Sequence, residues 1–491
     1  MASLEEVLRD KNVGCAVLNS AARVPDQLAI ITDETMLNYQ QLGLLIQSFA
    51  TRMQQLGIGE DSVVTLASDD ILIVVPVFFA CALLGAQWIA FKNYHVFSDL
   101  VRPTHWLRGA DSKGSPDHPF VSIDQDWANM ERGELAVIGH DYLDMPFIYA
   151  STSGTTGTPK LLSISQRVLF DRGVAASDDF IERKTVFCSL FPPTANPYIA
   201  RFVAALQNGA TILHSRNFAM WYECGMNHLY GSVAQVSELL GTVLLPSKLP
   251  MIHVSGSKCG DGLARHLLQS FDLVIDLYAS TETSRSFKNI KYLDESGALH
   301  TRGEKLDSEI EIINPQGKPV APGEVGLVRV RNGYFADHYI NSPEVQAKAF
   351  RDGWFYSGDF GQWNSEGALQ ILGRSGDVIN RGGIKINALA IDEVLREIDG
   401  VVDAMCFEHP SDQGPSALLA FVVYAREQDA AATLEKIRSV CQMRLAAVQI
   451  PDRVIPINKV PRAHDGGAQR FRCKDIYLKI IDDLQTQTPT K

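Results

Sequence analysis

Short apolar, β-branched runs alternate with stretches of helical texture along most of this chain. Ser62–Ala67 reads SVVTLA, Pro146–Ala150 reads PFIYA and Leu273–Ala279 reads LVIDLYA. Continuous apolar runs of this length predict strands buried on both faces. The last two are each followed by a polar loop. In open α/β sheets, ligands bind at the loops that follow strand C-termini. Ile71–Phe91, ILIVVPVFFACALLGAQWIAF, is long enough to span a bilayer. However, Pro76 and Gly85 interrupt it, Asp69 and Asp70 precede it, and no Lys/Arg cluster flanks it. It therefore predicts a buried core helix, with no membrane span expected.

The texture changes near residue 308. SEIEIINPQGKPVAPGEVGLVRVR alternates polar and apolar positions between Gly/Pro turns, which predicts a β-meander. GALQILGRSGDVINRGGIKIN reads as a further hairpin-like stretch. ALAIDEVLREIDG predicts a helix closed by Gly400, ALLAFVVYA a strand, and AAATLEKIRSVCQMRL a second helix. The fold class is α/β, with a compact α+β module at the end. The boundary falls near Gly373–Gly376, giving domains 1–373 and 374–491.

At 491 residues the chain is too long for one ordinary core. A net charge of −12 and a pI near 5.5 argue against a general nucleic-acid binder, which needs a basic field. The eight cysteines form no C-x-x-C pair, so zinc-knuckle and thioredoxin readings fail. The acidic opening MASLEEVLRDKN is not a signal peptide. Free thiols in a reducing, cytoplasmic location are expected.

Ser151–Lys160, STSGTTGTPK, packs glycines, hydroxyls and one lysine into a loop after an apolar strand. Glycines let backbone N–H groups turn toward a ligand, hydroxyls donate further bonds, and lysine supplies a mobile charge. A triphosphate needs that chemistry, although a plain surface turn has a similar composition. The loop is not a Walker A sequence, because Pro159 stands where G-x-x-x-x-G-K requires glycine.

The string resembles the phosphate loop of the adenylate-forming superfamily, T-S-G-T-T-G-x-P-K-G. That superfamily includes acyl- and aryl-CoA ligases, luciferases and the adenylation domains of peptide synthetases. The remaining motifs follow in family order. LYASTE (Leu277–Glu282) is similar to Y-G-x-T-E, VSGSKCG (Val254–Gly260) to the stretch lining adenine, and DGWFYSGDFG (Asp352–Gly361) to D-G-W-F-x-T-G-D. GRSGDVINRGGIKI (Gly373–Ile386) is similar to the stretch joining the two domains. The resemblance covers nearly the whole chain. It implies a large N-terminal domain of stacked sheets and helices and a small, mobile C-terminal domain, with the active site between them. The segment from Phe91 to Tyr149 is short for the family, which suggests a trimmed subdomain.

It also implies roles for individual residues. Thr152, Ser153, Gly154, Thr155, Thr156 and Gly157 would cradle phosphate, and Lys160, Thr281 and Glu282 would serve catalysis. Glu282 and Thr152 would hold Mg²⁺, a hard cation that prefers oxygen ligands. Gly256, Ser257, Tyr278, Ala279 and Ser280 would meet the nucleotide, with Tyr278 stacking on adenine. Asp359 and Arg374 would reach the ribose. Asn196, Ser255 and Ala279 would face the acid. ATP and Mg²⁺ are expected, and CoA, a separate carrier protein or an amine would accept the acyl group. Asn196 and the phrase INRGGIK favour an aromatic or small cyclic acid, ahead of a medium-chain fatty acid.

Three positions depart from the pattern. Leu161 replaces the last glycine of the phosphate loop, and Gly376 stands at the hinge position. In PRAHDGGAQRFRCK, Pro461, Arg462, Gly466 and Arg470 match P-R-T-x-x-G-K-x-x-R, but Gly467 occupies the place of the catalytic lysine. That lysine bridges the acid and the α-phosphate in the family. Losing one such donor costs roughly 10²–10³ in rate. Two outcomes remain open: a ligase in which Lys474, Lys459 or Lys385 compensates, or a non-adenylating relative that binds acyl-AMP or ATP, or performs only the transfer step.

Overall fold

The computed structural model describes residues 11–90, 94, 96–112, 119–129, 140–152, 160–177, 184–374, 378–381, 384–409, 416–425, 429–462 and 470–486. Two large sheets organise most of the chain. The nine-stranded sheet has a parallel centre in which Phe271–Ser280, Leu249–Ser255, His228–Ser232, Val186–Ser189, Thr211–His214 and Leu28–Thr32 lie side by side. The seven-stranded sheet has a parallel centre of Pro146–Thr152, Gln87–Ala90, Val63–Ala67, His105–Arg108 and Val121–Ser122. Lys160–Ser165 returns antiparallel beside Pro146–Thr152, and His338–Tyr339 adds beyond it. The predicted strands around Val63, Phe147 and Val274 are all present, and all are buried at their centres.

One apolar core draws on both sheets and on the helices Val13–Arg23, Tyr39–Gln55, Ile71–Leu84 and Asn196–Asn208. Phe78 joins these layers: its ring meets those of Phe79, Trp88, Phe147 and Phe202 edge-on at 5.2–5.6 Å. Such T-shaped contacts suit the aromatic quadrupole and fix the layers against one another.

The apolar run from Ile71 is not one helix. The helix ends at Leu84, Gly85 takes φ 75°, and Gln87–Ala90 returns as a strand. Glycine adopts that left-handed turn at no steric cost. The run is almost wholly apolar because the helix and the strand are each largely buried, with only Leu72, Ile73, Gly85 and Gln87 partly exposed. No helix among the described residues is long and apolar enough to cross a membrane.

A third sheet carries the predicted meander, Glu309–Ile313 beside Gly326–Arg331, and continues to Trp354–Trp363. Leu369–Arg374 pairs with Trp354–Trp363 and so belongs to this sheet, not to the hairpin that follows. The hairpin itself is Val378–Arg381 with Ile384–Asn387. The terminal α+β module has a three-stranded sheet, Val401–His409, Ala417–Tyr424 and Arg453–Pro456, with a separate apolar cluster on each face. Cys406 and Ala420 serve one cluster and Met405, Phe407 and Phe421 the other, the period of two that a strand imposes. The Ala388–Arg396 helix ends before Gly400, which at φ 93° turns the chain into the next strand. From Arg470 the tail is helical, Arg470–Thr486. Gly376, Gly466 and Gly467 lie outside the described residues.

Candidate active site

A cleft of about 2240 Å³ opens at the strand ends Thr152, Ser255 and Ser280, and is lined by both the large and the small domain. Thr152 ends its strand half-buried on the cleft wall, paired in register with Lys160. Ser153, Gly154, Thr155, Thr156 and Gly157 lie outside the described residues. Leu161, the odd residue of that loop, is fully buried with Ile89, Phe97 and Val101. Its N–H donates to Asn341 Oδ1 at 3.1 Å, and its carbonyl accepts from Ile340 at 2.8 Å. A side chain in place of glycine therefore anchors the strand behind the loop.

Around Lys160 the chain assembles a charged cluster. Glu282 is buried, and its Oε1 accepts a 2.6 Å hydrogen bond from the Tyr339 hydroxyl. The Lys160 ammonium lies 5.4 Å from the centroid of the Tyr339 ring. Burial pulls the Lys160 pKa below its ordinary value, Glu282 pulls it back up, and Arg374 pushes it down again. Buried Arg172 donates to the carbonyls of Glu282 at 3.0 Å and Tyr334 at 3.1 Å. Thr281 is half-buried on the cleft wall, and Ser280 Oγ lies 2.9 Å from Thr283 Oγ1, which tightens the turn.

The predicted ribose pair is also assembled. Asp359 and Arg374 stand opposite each other on adjacent strands, with Arg374 Nε 3.2 Å from Asp359 Oδ1. Tyr278 donates to the other oxygen, Oδ2, at 2.7 Å and lies 3.0 Å from Ser357 Oγ. Burial raises the Tyr278 phenol pKa, and the Asp359 carboxylate raises it further, so the hydroxyl stays a donor. A carboxylate has about four acceptor sites, so Asp359 retains capacity for ribose hydroxyls.

Gly256 turns at φ 85°, Ser257 and Ala279 are exposed beside it, and all three line the cleft. Buried Ser255 lies 3.0 Å from the Tyr230 hydroxyl. Asn196 opens the Asn196–Asn208 helix half-buried on the same wall. Arg201, one turn on, is buried over the Tyr230 ring at 4.8 Å and 3.2 Å from His253 Nδ1.

Several of these residues carried no usable signal in the sequence. Tyr339 and Arg172 lie far from Glu282 along the chain, and only strand pairing and helix packing bring them to it. Arg201 and Tyr230 meet in the same way. Asp276 did carry a signal, as the one acid in LVIDLYA. It is buried on the cleft wall, accepts from Cys259 N–H at 3.1 Å, and burial raises its pKa to about 6.

A family model described as AMP-binding enzyme matches residues 138–340, and one described as AMP-binding enzyme C-terminal domain matches residues 390–466. The chain belongs to the adenylate-forming superfamily. Among its relatives, pyochelin synthase PchD of Pseudomonas aeruginosa is 25% identical, over 98% of this chain and 94% of that protein. The vibriobactin-specific 2,3-dihydroxybenzoate-AMP ligase of Vibrio cholerae is 24% identical, over 96% of each. Indoleacetate–CoA ligase of Aromatoleum aromaticum is 24% identical, over 93% of this chain and 96% of that one. The fold matches that of O-succinylbenzoate coenzyme A synthetase from Bacillus subtilis in complex with AMP, with a TM-score of 0.81 at 19% identity over 94% of this chain and 98% of that one.

The donor set fits the family's metal. Among the described residues no group of three or more His, Cys, Asp or Glu side chains converges. Mg²⁺ is ordinarily held by one or two carboxylates together with substrate phosphates and water. The Glu282 carboxylate and the Thr152 hydroxyl both line the cleft and are oxygen donors of the kind that protein share would need.

Proposed function

We propose that this chain uses ATP to activate a small carboxylic acid, an aryl acid first, and transfers the acyl group to a thiol. The observation that carries this is the joint placement of Glu282, Lys160, Asp359, Tyr278 and Arg374 around one cleft in an adenylate-forming chain. A carboxylate oxygen of the acid attacks the α-phosphorus. The bond from that phosphorus to the bridging oxygen breaks, and pyrophosphate leaves with the electron pair. A thiolate then attacks the acyl carbon and AMP departs.

Each residue has a role in this scheme. Asp359 and Arg374 would hold the ribose, and Tyr278 would order Asp359 while its ring faces adenine. Lys160, on the strand that leaves the phosphate loop, would offset phosphate charge, and Glu282 and Thr152 would hold Mg²⁺. Bound there, Mg²⁺ neutralises charge on the phosphate oxygens. Preorganised donors of this kind need no reorganisation as charge moves, which is why they lower the barrier. Asn196, Ser255 and Ala279 border the acid, and Arg201 over Tyr230 adds a buried cation to the wall beside them.

The acceptor is CoA or a separate carrier protein. The aryl preference rests on relatives named for dihydroxybenzoate and indoleacetate. We propose the domain boundary at residues 373–374, supported by its position at the C-terminal end of the Leu369–Arg374 strand. Eight cysteines without a disulfide suit a cytoplasmic setting. Gly467 favours a second reading, in which only the transfer step from a ready-made acyl-AMP survives. ATP–pyrophosphate exchange across benzoate, salicylate, 2,3-dihydroxybenzoate, indoleacetate and hexanoate separates the two. Acid-dependent exchange supports adenylation. No exchange with any acid, together with thiol acylation from synthetic aryl-AMP, supports the second.

A further inference from the structure

Beyond Arg374 at the boundary, the described residues of the small domain present four cationic residues to the cleft: Arg396, Arg462, Arg470 and Lys474. Three are committed to the domain itself. Arg396 donates to the Asp392 carbonyl in its own helix at 3.2 Å. Arg462 pairs with Asp403 at 2.5 Å. Arg470 is buried against Asp392 at 2.6 Å and donates to the Cys406 carbonyl at 2.5 Å. Lys474, half-buried, makes no ion pair or hydrogen bond among the described residues.

Its position is fixed by its neighbours. Residues four apart on a helix share a face, so Lys474 sits one turn beyond Arg470. Arg470 is tied into the domain, and Cys473 is fully buried with Met405, Phe407 and Phe421. The Arg470–Thr486 helix therefore cannot rotate without breaking both attachments. The two other lysines considered do not compete on the same terms. Lys459 is exposed and off the cleft wall, and the Lys385 side chain lies outside the described residues.

We infer that Lys474 supplies the cationic contact to the reacting acid and α-phosphate that a lysine at position 467 supplies elsewhere in the superfamily. A four-carbon stem carrying three rotatable donors can extend its charge into the cleft that Lys474 lines, as a short polar side chain cannot. The charge acts only while phosphorus–oxygen bonds are exchanged, so it serves adenylation and not thiol transfer. This inference rests on the adenylation reading above.

The test uses the full chain with salicylate and 2,3-dihydroxybenzoate as acids. Lys474→Ala is expected to lower ATP–pyrophosphate exchange about 100-fold or more, in kcat more than in KM for ATP, with Tm unchanged. Lys474→Arg is expected to retain part of the activity, and Gly467→Lys added to Lys474→Ala to restore it. A second readout needs no turnover: Lys474 acetylation by an activated ester, followed by mass spectrometry, is expected to be suppressed by MgATP.

Wild-type exchange that Lys474→Ala leaves intact overturns the inference and spares the adenylation reading. Wild-type silence with activity gained in Gly467→Lys overturns both. If neither chain exchanges, the adenylation reading fails. The footprint then decides the placement of Lys474: protection by MgATP upholds it and equal labelling overturns it.

Discussion

The two walls of the cleft are built on different plans. On the wall built from the large sheets and closed by Arg374 at the domain boundary, the side chains facing the cleft bond to one another: Tyr278 and Arg374 to Asp359, and Tyr339 to Glu282. On the small domain, the cations of the tail motif turn inward, Arg462 to Asp403 and Arg470 to Asp392. The first plan prearranges the side chains proposed to hold the nucleotide before any ligand arrives. The second fixes a frame and leaves the reactive charge to whatever side chain the frame presents. A glycine at 467 can therefore coexist with an intact frame, because Arg462 and Arg470 hold the domain together through partners of their own.

The comparison breaks most visibly at Arg470. Both it and Asp392 are buried, so Arg470→Met strands a carboxylate whose pKa burial already raises. A loss of about 3–5 kcal/mol is expected. Thermal unfolding should show it as early melting of the small domain, with nucleotide binding to the large domain retained. If Arg470→Met melts like wild type, the inward pair is not what fixes the frame.

Asp276 probes the large-domain wall. Its folded pKa near 6 lies above the ordinary carboxylate value of 3.8, so the folded state binds the extra proton between those limits. Stability is gained as pH falls through 6 and lost as pH rises through it. The unfavourable burial of the charged carboxylate at pH 8 corresponds to a penalty on the order of a few kcal/mol. Asp276→Asn should remove that penalty and flatten the wild-type slope between pH 4 and about 6. A slope identical in mutant and wild type would place the titration elsewhere.

Tyr339→Phe removes one hydrogen bond to a buried carboxylate, a cost of about 1.5–3 kcal/mol. It should raise the Mg²⁺ concentration needed for nucleotide binding, read by calorimetry, and a shift in overall Tm alone would reduce Tyr339 to packing. The smallest effect belongs to Lys258→Ala. Lys258 reaches Glu393 across the two domains at 3.1 Å, but both side chains are substantially exposed. Such pairs contribute about 0–1 kcal/mol, so adenylation should barely change, and a tenfold loss would make the bridge part of the mechanism.

The sequence made the two plans unequally legible. Glycine-rich and aromatic motifs announced Lys160, Glu282, Tyr278, Asp359 and Arg374, because each sits in a local string whose backbone demands are local. Tyr339 and Arg172 were silent, since their partners lie 57 and 110 residues away and only folding joins them. The run from Ile71 misled in a different way. A helix and a strand that are both largely buried show no polar face, so periodicity could not mark the turn at Gly85. In the tail, the motif gave the positions of Arg462 and Arg470 but not their direction. Inward pairing became visible only with Asp392 and Asp403 in place.

The most direct measurement is aryl-acid-dependent ATP–pyrophosphate exchange in the wild-type chain beside Asp359→Ala. Exchange is expected in the first and a loss of roughly 100-fold or more in the second. Equal exchange in both would contradict the prearranged nucleotide wall on which the rest depends.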